Sequence, residues 1–460
     1  MRTCYRICCS ISASLLLFSW ARFARAQGEP AAPAPIAAPP PPVEPNPAEE
    51  KKPAPEDKKE APFSVGDFTW QNGQSRQKTF PLSFSSVITP SIYLDVNYSY
   101  SFNHPKDNTL TGSAAVGRHN EFQINLASIG LEWNFKNVIG RMSLQYGSML
   151  NIIQDLDGSV ARGRSLSAVD LSYIREATLG YHFDVDYGLN VEAGIFMSYI
   201  GLESYLLAEN WNYNRSMVCD FTPFYFQGVR MQYFPKRNLK IEPWLMNGFQ
   251  TYGKWNYAPS GGVAFRWAPS EALGLILNTY VGTDTRGQPD RVRFHSDHSV
   301  LARYFNAPES NGISKAAFTI NNHVGFESGG VGPGPGKAYF LGTSIAHRIW
   351  FHRDLFALTI RGEALSEPGR YMLQFPPPGF DTTPGKALWI TGLTGTLEVM
   401  PRDYFGIRAE VMGRYASEPF FAGPGGTTSL DGFRDGPADN FVPDVRRGQL
   451  LLTVAANFRL

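Results

Sequence analysis

Cysteine is scarce in this sequence, with four among 460 residues. Cys4, Cys8 and Cys9 lie at the very N-terminus, so Cys219 stands alone in the rest of the chain. A single cysteine can form neither an intrachain disulfide nor a two-cysteine metal motif. The sequence therefore excludes a disulfide-stabilised scaffold and a CxxC metal site beyond the N-terminus.

Charge is low as well, at 18% of residues, and the net charge is only +1. This balance gives no strong field that would attract nucleic acid or an acidic substrate. After residue 26 no stretch reaches the roughly 18 consecutive apolar residues of a transmembrane helix, which excludes a helical membrane protein. Aromatic residues reach 13% and glycine numbers 44, as expected for a β-rich chain with many turns.

The first 26 residues have the pattern of a signal peptide. Arg2 and Arg6 give a positive start, a short apolar stretch follows over 11–20, and Ala24-Arg25-Ala26 is a small-x-small cleavage site. The alternative is an uncleaved anchor helix, but the apolar stretch is about half the ~20 residues that a span needs. We expect an exported chain that begins at Gln27.

Residues 27–79 are predicted to be a disordered linker on the periplasmic side. Twelve of the 36 residues in 27–62 are proline, mixed with alanine, glutamate and lysine. Such a composition cannot bury enough apolar area to fold and favours extended polyproline II. The segment is either a plain spacer or a contact for a periplasmic or cell-wall partner, and no residue in it favours the second role.

An alternating pattern then recurs along the chain. In "SIYLDVNYSYSF" (91–102) the even positions, from Ile92 to Phe102, are apolar or aromatic, and most odd positions are polar. Comparable runs occur in 138–153, 404–416 and 448–460, and their length of about ten residues suits a tilted strand that crosses a membrane. We count about sixteen such strands.

The joints between these strands alternate between short turns and longer loops such as 103–118, 200–219 and 417–447. This alternation is typical of outer-membrane barrels. Residues 80–460 are therefore predicted to form one all-β domain, a closed antiparallel transmembrane barrel of about 16 strands with both ends periplasmic. A soluble sandwich or propeller is the alternative, but it would have shorter strands and a buried face richer in Leu, Ile and Val.

Charged side chains on the polar face of the predicted strands should point into the lumen, since charges are costly in lipid. They either pair with one another or set a transverse field that selects solutes. Arg175 has the opposite parity, which indicates a bulge or a position near the membrane boundary. The predicted lumenal charges are Arg141, Glu192, Arg230, Arg266, Arg291, Arg293, Arg303, Arg361 and Arg408.

The third long loop, 200–219, is predicted to form a constriction inside the barrel. Its apolar side chains, including Leu202, Tyr205 and Trp211, are too many for a freely solvated loop. The predicted constriction residues are Glu203, Glu209 and Arg215, with the glutamates facing arginines such as Arg230, Arg266, Arg291 and Arg293. In the alternative, the apolar side chains dock on a neighbouring subunit of a homo-oligomer.

Motifs for catalysis or metal binding are weak. "GGVGPGPGK" (329–337) has the glycines of a phosphate loop, but Ala338 replaces the required Ser or Thr. In "HSDH", His295 and His298 would point to opposite faces of a strand. We expect no cofactor, no metal site and no enzyme activity, although a barrel-anchored enzyme or surface adhesin that acts through the loops is the alternative to a channel.

Three segments resemble a known family: "RHNEFQINLASIGLEW" (118–133), "LNVEAGIFMSYIGLESYLLAENWNYNRSM" (189–217) and "TPFYFQGVRMQYF" (222–234). They are similar to the β-barrel porins of Gram-negative bacteria described as OmpL-like outer-membrane porins. The resemblance covers most of 80–460 and implies an outer-membrane channel for small polar solutes or ions, without a catalytic motif. Many such barrels end in Phe, whereas this chain ends Phe458-Arg459-Leu460.

Overall fold

The computed structural model describes residues 60–83, 85–155, 157, 171–285, 287–330, 338–369, 387–437 and 439–460. The predicted signal peptide and residues 27–59 of the predicted linker lie outside the described residues, as does most of the "GGVGPGPGK" motif.

Sixteen long strands of the described residues form one closed antiparallel barrel, which confirms the predicted fold class and strand count. In this barrel β1 pairs with β2 and so on to β15, and the last strand closes the ring between β15 and β1. The barrel strands are β1 (Ile88–Ser101), β2 (Glu121–Phe135), β3 (Val138–Tyr146), β4 (Ile174–Phe183), β5 (Leu189–Met197), β6 (Tyr225–Lys236), β7 (Leu239–Met246), β8 (Ser260–Ser270), β9 (Leu273–Gly282), β10 (Val292–Asn306), β11 (Ile313–Ser328), β12 (Tyr339–Phe351), β13 (Phe356–Ser366), β14 (Trp389–Arg402), β15 (Phe405–Ala416) and β18 (Gly448–Arg459).

The remaining elements lie in the loops. A small pair, β16 (Phe421–Ala422) and β17 (Val445–Arg446), lies in the last loop before β18. Helix α1 spans Ser148–Asp155, a 3₁₀ turn spans Leu207–Glu209, and the short helix α2 spans Met217–Asp220. Among the described helices, none has the length and apolar character to cross a membrane.

The two faces of the strands differ as the alternation predicts. On β1, Leu94 is 38% exposed on the outside of the barrel, whereas its neighbours Asp95 and Asn97 are buried inside. On β15, Val411 is 51% exposed while Glu410 is buried. Closure of the ring leaves no unpaired strand edge in lipid, which is the condition for a β-structure to span a membrane.

Strand β3 is shorter than predicted, because residues 148–153 form helix α1. Gly147 ends the strand at a positive φ of 140°, where a Cβ atom would lie 2.3 Å from the carbonyl oxygen of Asn125. Met149, Leu150 and Ile153 then bury one face of the helix. The apolar residues that seemed to alternate in 148–152 therefore lie on one side of a helix. A window this short does not distinguish a strand pattern from a helix pattern.

The irregular position of Arg175 is explained by a β-bulge. The register between β3 and β4 shifts so that Ser143 faces Glu176 and the next residue, Leu144, faces Ile174. Arg175 is the extra residue, and it turns inward, where its Nη2 donates to Ser143 Oγ at 3.1 Å. Of the two explanations offered by the sequence, the bulge is the right one.

Substitution of an outward residue near the middle of a strand by arginine should destabilise the folded barrel in lipid. We expect Leu94→Arg and Val411→Arg each to cost about 2–4 kcal/mol, because a cation near the bilayer midplane is poorly solvated. Equilibrium unfolding in lipid vesicles measures this cost. A matched control is Asn190→Arg, since Asn190 lines a water-accessible cavity in the lumen. Equal costs at all three positions would contradict the assigned faces.

Asp95→Arg is not a suitable control, although alternation alone would suggest it. The Asp95 carboxylate is fully buried and accepts hydrogen bonds from Asn125, Tyr213 and Asn457 at 2.7–3.1 Å. Because these partners would lose their acceptor, an inward arginine at this position should also destabilise the barrel.

Candidate permeation pathway

The loop between β5 and β6, residues 198–224 and called L3 below, folds into the lumen. Leu202, Tyr205, Leu206, Leu207 and Trp211 are all buried within the same chain. The prediction that these side chains leave water is confirmed. The alternative, docking on a neighbouring subunit, is not needed to explain their apolar character.

L3 packs with two other elements inside the barrel, the first loop and helix α1. Its Tyr205, Leu206 and Leu207 join one apolar cluster with residues 114–116 of the first loop and with helix α1. The Ala114 amide donates to Asp220 Oδ2 at 2.8 Å, which ties the first loop to α2. Loops therefore fill much of the lumen, which the wall side chains of a sixteen-strand barrel would leave open to water.

Arginines on the barrel wall hold the backbone of L3. Arg348 on β12 donates to Trp211 O at 3.0 Å, and Arg361 on β13 donates to Asn214 O at 2.7 Å. Arg408 on β15 donates to three L3 carbonyls, those of Leu207, Ala208 and Asn210, at 2.6–2.9 Å. The backbone carbonyls of a buried loop have no hydrogen-bond donors from a neighbouring strand. The guanidinium groups of these arginines supply the missing donors.

The acidic side chains of L3 have partners other than those predicted. Glu203 Oε1 lies 2.9 Å from Arg361 Nη1, and its Oε2 accepts from the backbone and hydroxyl of Ser216 at 2.6 and 2.9 Å. Glu209 pairs with Arg459 at the end of β18. The sequence located both residues inside the barrel, but their pairing with Arg230, Arg266, Arg291 and Arg293 is wrong, because L3 lies against the wall formed by β12–β15, β18 and β1.

Arg215, the third predicted constriction residue, is 2% exposed and lies within L3. Its Nη2 donates to the carbonyls of Glu203 and Cys219 at 3.2 and 2.9 Å, and its guanidinium stacks over the Phe224 ring. These contacts hold the two ends of L3 together. Arg215 therefore contributes to the shape of the loop.

The other predicted wall charges do point inward, and most of them pair. Among the described residues Arg266 forms no ion pair with a carboxylate, whereas the other predicted arginines do. The closest contacts are Arg141–Glu176 at 2.9 Å, Arg230–Glu192 at 2.8 Å, Arg291–Glu327, Arg293–Asp284 at 3.0 Å, Arg303–Glu271 at 2.7 Å, Arg361–Glu203 at 2.9 Å and Arg408–Glu398 at 2.9 Å.

Residues 60–79, called the N-terminal segment below, also enter the lumen, from the end with the short turns. Trp70, Gln71 and Asn72 are buried. Trp70 Nε1 donates to Glu271 O on the wall at 2.9 Å, and Trp211 of L3 donates from Nε1 to Trp70 O at 2.9 Å and from its amide to Asn72 Oδ1 at 2.8 Å. The prediction of a disordered linker is wrong for residues 60–79.

Two carboxylates stabilise the N-terminal segment, Asp403 from the barrel and Asp67 from within the segment itself. Asp403, in the turn between β14 and β15, accepts from the amides of Lys78 and Thr79 at 2.6 and 2.7 Å. Burial raises the pKa of Asp403, but these hydrogen bonds outweigh it and lower the pKa below its ordinary value. For Asp67 burial likewise raises the pKa, but hydrogen bonds from Thr69 and Lys78 bring it down to about 2.

Acid should release the N-terminal segment. A carboxylate with a lowered pKa stabilises the docked state above its ordinary pKa, 3.8 for Asp, and that contribution disappears as the pH falls through the lowered value. We therefore expect the segment to loosen between about pH 4 and pH 2, detected as pepsin cleavage near Phe68 and Trp70 that is faster at about pH 2.5 than at about pH 4. Asp403→Asn should show the faster cleavage already at about pH 4, and an unchanged pattern in both cases would contradict the role of Asp403.

Glu203→Gln should destabilise the barrel more than Glu209→Gln. Glu203 and Arg361 are almost fully buried, and loss of one partner of such a pair leaves the other uncompensated, at a cost of about 3–5 kcal/mol. Glu209 and Arg459 are partly exposed, so water compensates there. Urea-induced unfolding of the two variants in parallel checks the order, and the reverse order would contradict the assigned pairs.

Open space remains on the opposite side of the lumen. One cavity, with an empty volume of about 810 Å³, lies between L3, the N-terminal segment and strands β7–β9. A second, of about 650 Å³, lies against β2–β6 and is lined by Glu132, Arg141, Asn190 and Arg230 among others. Both cavities thus lie beside the inner elements, away from the wall that holds L3.

The sequence missed three of the four inner elements, among them helix α1, which was predicted as the end of β3. Nothing in the first loop, 103–118, marks it as buried except the small apolar run Ala114-Ala115-Val116. For the N-terminal segment a signal exists, since "FTWQNGQ" (68–74) is free of proline and contains aromatic residues unlike the linker before it. That change of composition near residue 63 could have placed the end of the linker earlier.

Metal-ligand geometry is absent from the described part of the chain, where no three His, Cys, Asp or Glu side chains are placed to hold one ion. His295 of the "HSDH" motif is buried and hydrogen-bonds His323 at 3.0 Å, while His298 contacts Ser296 at 3.2 Å. These contacts account for both histidines as parts of the wall.

The fold and the inner loop define a class, the sixteen-strand outer-membrane porins. A family model described as "Putative beta-barrel porin-2, OmpL-like" matches residues 88–460, and the chain belongs to this family. It is thus an outer-membrane porin. No curated protein matches the sequence.

Solved structures with the same architecture are distant in sequence. The anion-selective porin from Comamonas acidovorans is 8% identical, with 81% of this chain and 99% of that chain covered and a TM-score of 0.50. OprB of Pseudomonas putida is 8% identical, with 81% and 94% covered and a TM-score of 0.48. The outer membrane channel DcaP of Acinetobacter baumannii is 10% identical, with 81% and 97% covered and a TM-score of 0.43. The likeness to the Comamonas acidovorans porin concerns the fold alone, and an identity of 8% indicates nothing about solutes.

Proposed function

We propose that this porin is a passive channel in which L3 and the N-terminal segment together narrow the lumen to an off-centre polar passage for small solutes. The observation that carries the proposal is the attachment of L3 to wall arginines on β12, β13 and β15. A loop held at so many points is a fixed part of the pore wall. Solutes must then pass beside it, along the cavities on the β2–β9 side.

The charge arrangement supports a screening role for this passage. Arg141, which is 32% exposed, and Glu132, at 58%, face open space and form a loose pair at 3.2 Å. Charges of both signs that stay accessible in a narrow polar passage act on water and dipolar solutes. The fully buried pairs around L3, by contrast, serve to fix the loop.

The remaining parts of the proposal concern export and assembly. Residues 1–26 act as a cleaved signal peptide, the mature chain starts at Gln27, and the N-terminal segment enters the barrel from the periplasm, where the linker also lies. Lipid covers the outward apolar face, and any homo-oligomer forms through that same face. The protein carries solutes and performs no covalent chemistry.

Liposome swelling tests the channel function directly. Vesicles that contain the refolded barrel should swell in iso-osmotic solutions of small solutes such as glycine or arabinose and much more slowly in raffinose. Vesicles with heat-denatured protein are the matched control. Equal rates for all solutes, or rates equal to those of the control, would contradict a narrow passive channel.

A further inference from the structure

We propose that the cavity between L3, the N-terminal segment and β7–β9 binds the anionic group of a small organic solute, such as a carboxylate, with Arg266 as its principal partner. The inference rests on the proposed channel function, because the solute reaches the cavity through the pore. It adds a chemical preference that the channel fold by itself does not give.

Arg266 differs from the other predicted cations of the lumen in the partners that it contacts. Its Nη1 donates to Gln74 Oε1 at 2.9 Å and its Nη2 to Gln71 Oε1 at 2.6 Å, and its guanidinium lies over the Phe63 ring. All of these partners are neutral. The other wall arginines predicted from the sequence each have a carboxylate partner, so the charge of Arg266 is the one left uncompensated among them in the described residues.

A second guanidinium lines the same cavity from the L3 side. Arg215 is nearly fully buried, and its Nε and Nη1 have no hydrogen-bond partner in the described residues. The nearest carboxylate oxygen, on Asp220, is 3.8 Å from Nη1. Both atoms are shielded from the cavity, so Arg215 acts on a solute there through its positive charge and not through a direct hydrogen bond.

The charges of the lining favour an anion. Four charged residues line it, of which Arg215, Lys240 and Arg266 are cationic and Glu203 is anionic. Glu203 is already paired with Arg361, and Lys240 lies 2.7 Å from Glu242. The charge that faces the cavity is therefore positive, which favours an oxyanion over a cation.

The rest of the lining indicates an organic solute in preference to an inorganic ion. Met197, Ile200, Leu202, Phe224 and Ile276 contribute apolar surface, and Tyr199 and Asn278 add polar groups. The lining thus combines apolar side chains with polar and charged groups, and such a combination suits a small organic molecule with one charged end. A carboxylate with a small hydrocarbon or aromatic body matches both parts.

Isothermal titration of the full refolded barrel in detergent tests the site, with benzoate, inorganic phosphate and glucose as probes. We expect the native chain to bind benzoate and not glucose. Arg266→Gln should weaken benzoate binding about tenfold or more, since a charge-assisted pair is lost. Arg402→Gln, an exposed cation at the same end of the barrel, should leave it unchanged.

Arg266→Lys guards against a variant that fails to fold, because it keeps the charge and should retain part of the affinity. Heat-modifiable gel mobility verifies that each variant is a folded barrel. Benzoate binding that is equal in the native chain and in Arg266→Gln, or no benzoate binding at all, would overturn the proposal, and binding of phosphate without benzoate would overturn the assignment to an organic solute. Titration needs no conduction, so failure of this site and failure of the channel function remain distinguishable.

Discussion

Deletion of residues 60–79 is expected to raise the single-channel conductance severalfold. The N-terminal segment occupies the part of the lumen at the end with the short turns and contacts both the wall, through Trp70, and L3, through Asn72. It also forms part of the boundary of the 810 Å³ cavity, where Gly73 and Gln74 line the space. Its removal opens that cavity at this end of the barrel without loss of a barrel strand.

Two variants separate this effect from that of the linker. Deletion of residues 27–59 should leave conductance unchanged, because the N-terminal segment stays in place. Gly73→Val should act like a partial deletion, since Gly73 has a positive φ of 75° and a Cβ atom there would lie 1.9 Å from Leu202 O. If deletion of 60–79 and deletion of 27–59 give the same conductance as the native chain, the segment does not narrow the pore.

Deletion of residues 204–214 in L3 should have an equally large effect on conductance and a larger one on stability. The deletion removes the loop that crosses the lumen and with it Leu207, Trp211 and Tyr213 from the apolar clusters. Arg348 and Arg408 lose their carbonyl acceptors but keep Glu398 as a partner. The barrel should therefore fold with a wider pore and unfold at lower temperature.

Conductance and thermal unfolding of this variant together form the measurement. A wider pore with weaker ion selectivity supports a constriction by L3. Unchanged conductance with loss of oligomers on native gels would instead support the alternative in which the loop docks on a neighbouring subunit.

The barrel itself could be predicted from the sequence, because each wall strand repeats a physical rule. An outward residue faces lipid and an inward residue faces a polar lumen, so alternation marks every strand and the turn lengths mark the two ends. Strand β15 shows how closely this works, since it spans Phe405–Ala416 where the pattern placed 404–416. The prediction from alternation failed after Gly147, because the apolar residues that follow belong to helix α1 and not to a strand.

The interior could be predicted only in part. The apolar content of L3 indicated burial, since a solvated loop gains nothing from Leu206 or Trp211. Its partners were not accessible to the same reasoning, because alternation gives the face of a residue but not its position around the barrel. Arg361 and Arg230 both lie at inward positions of their strands, and only the path of L3 decides that Glu203 meets the first and not the second.

Single-channel recording of the native chain and the two deletion variants in one planar bilayer system tests the central claim, that a porin barrel is narrowed by two inner segments of its own chain. We predict discrete conductance steps for the native protein and larger steps for the chain without 60–79 and for the chain without 204–214. Steps of equal size in all three proteins, or no steps in any of them, would contradict the account.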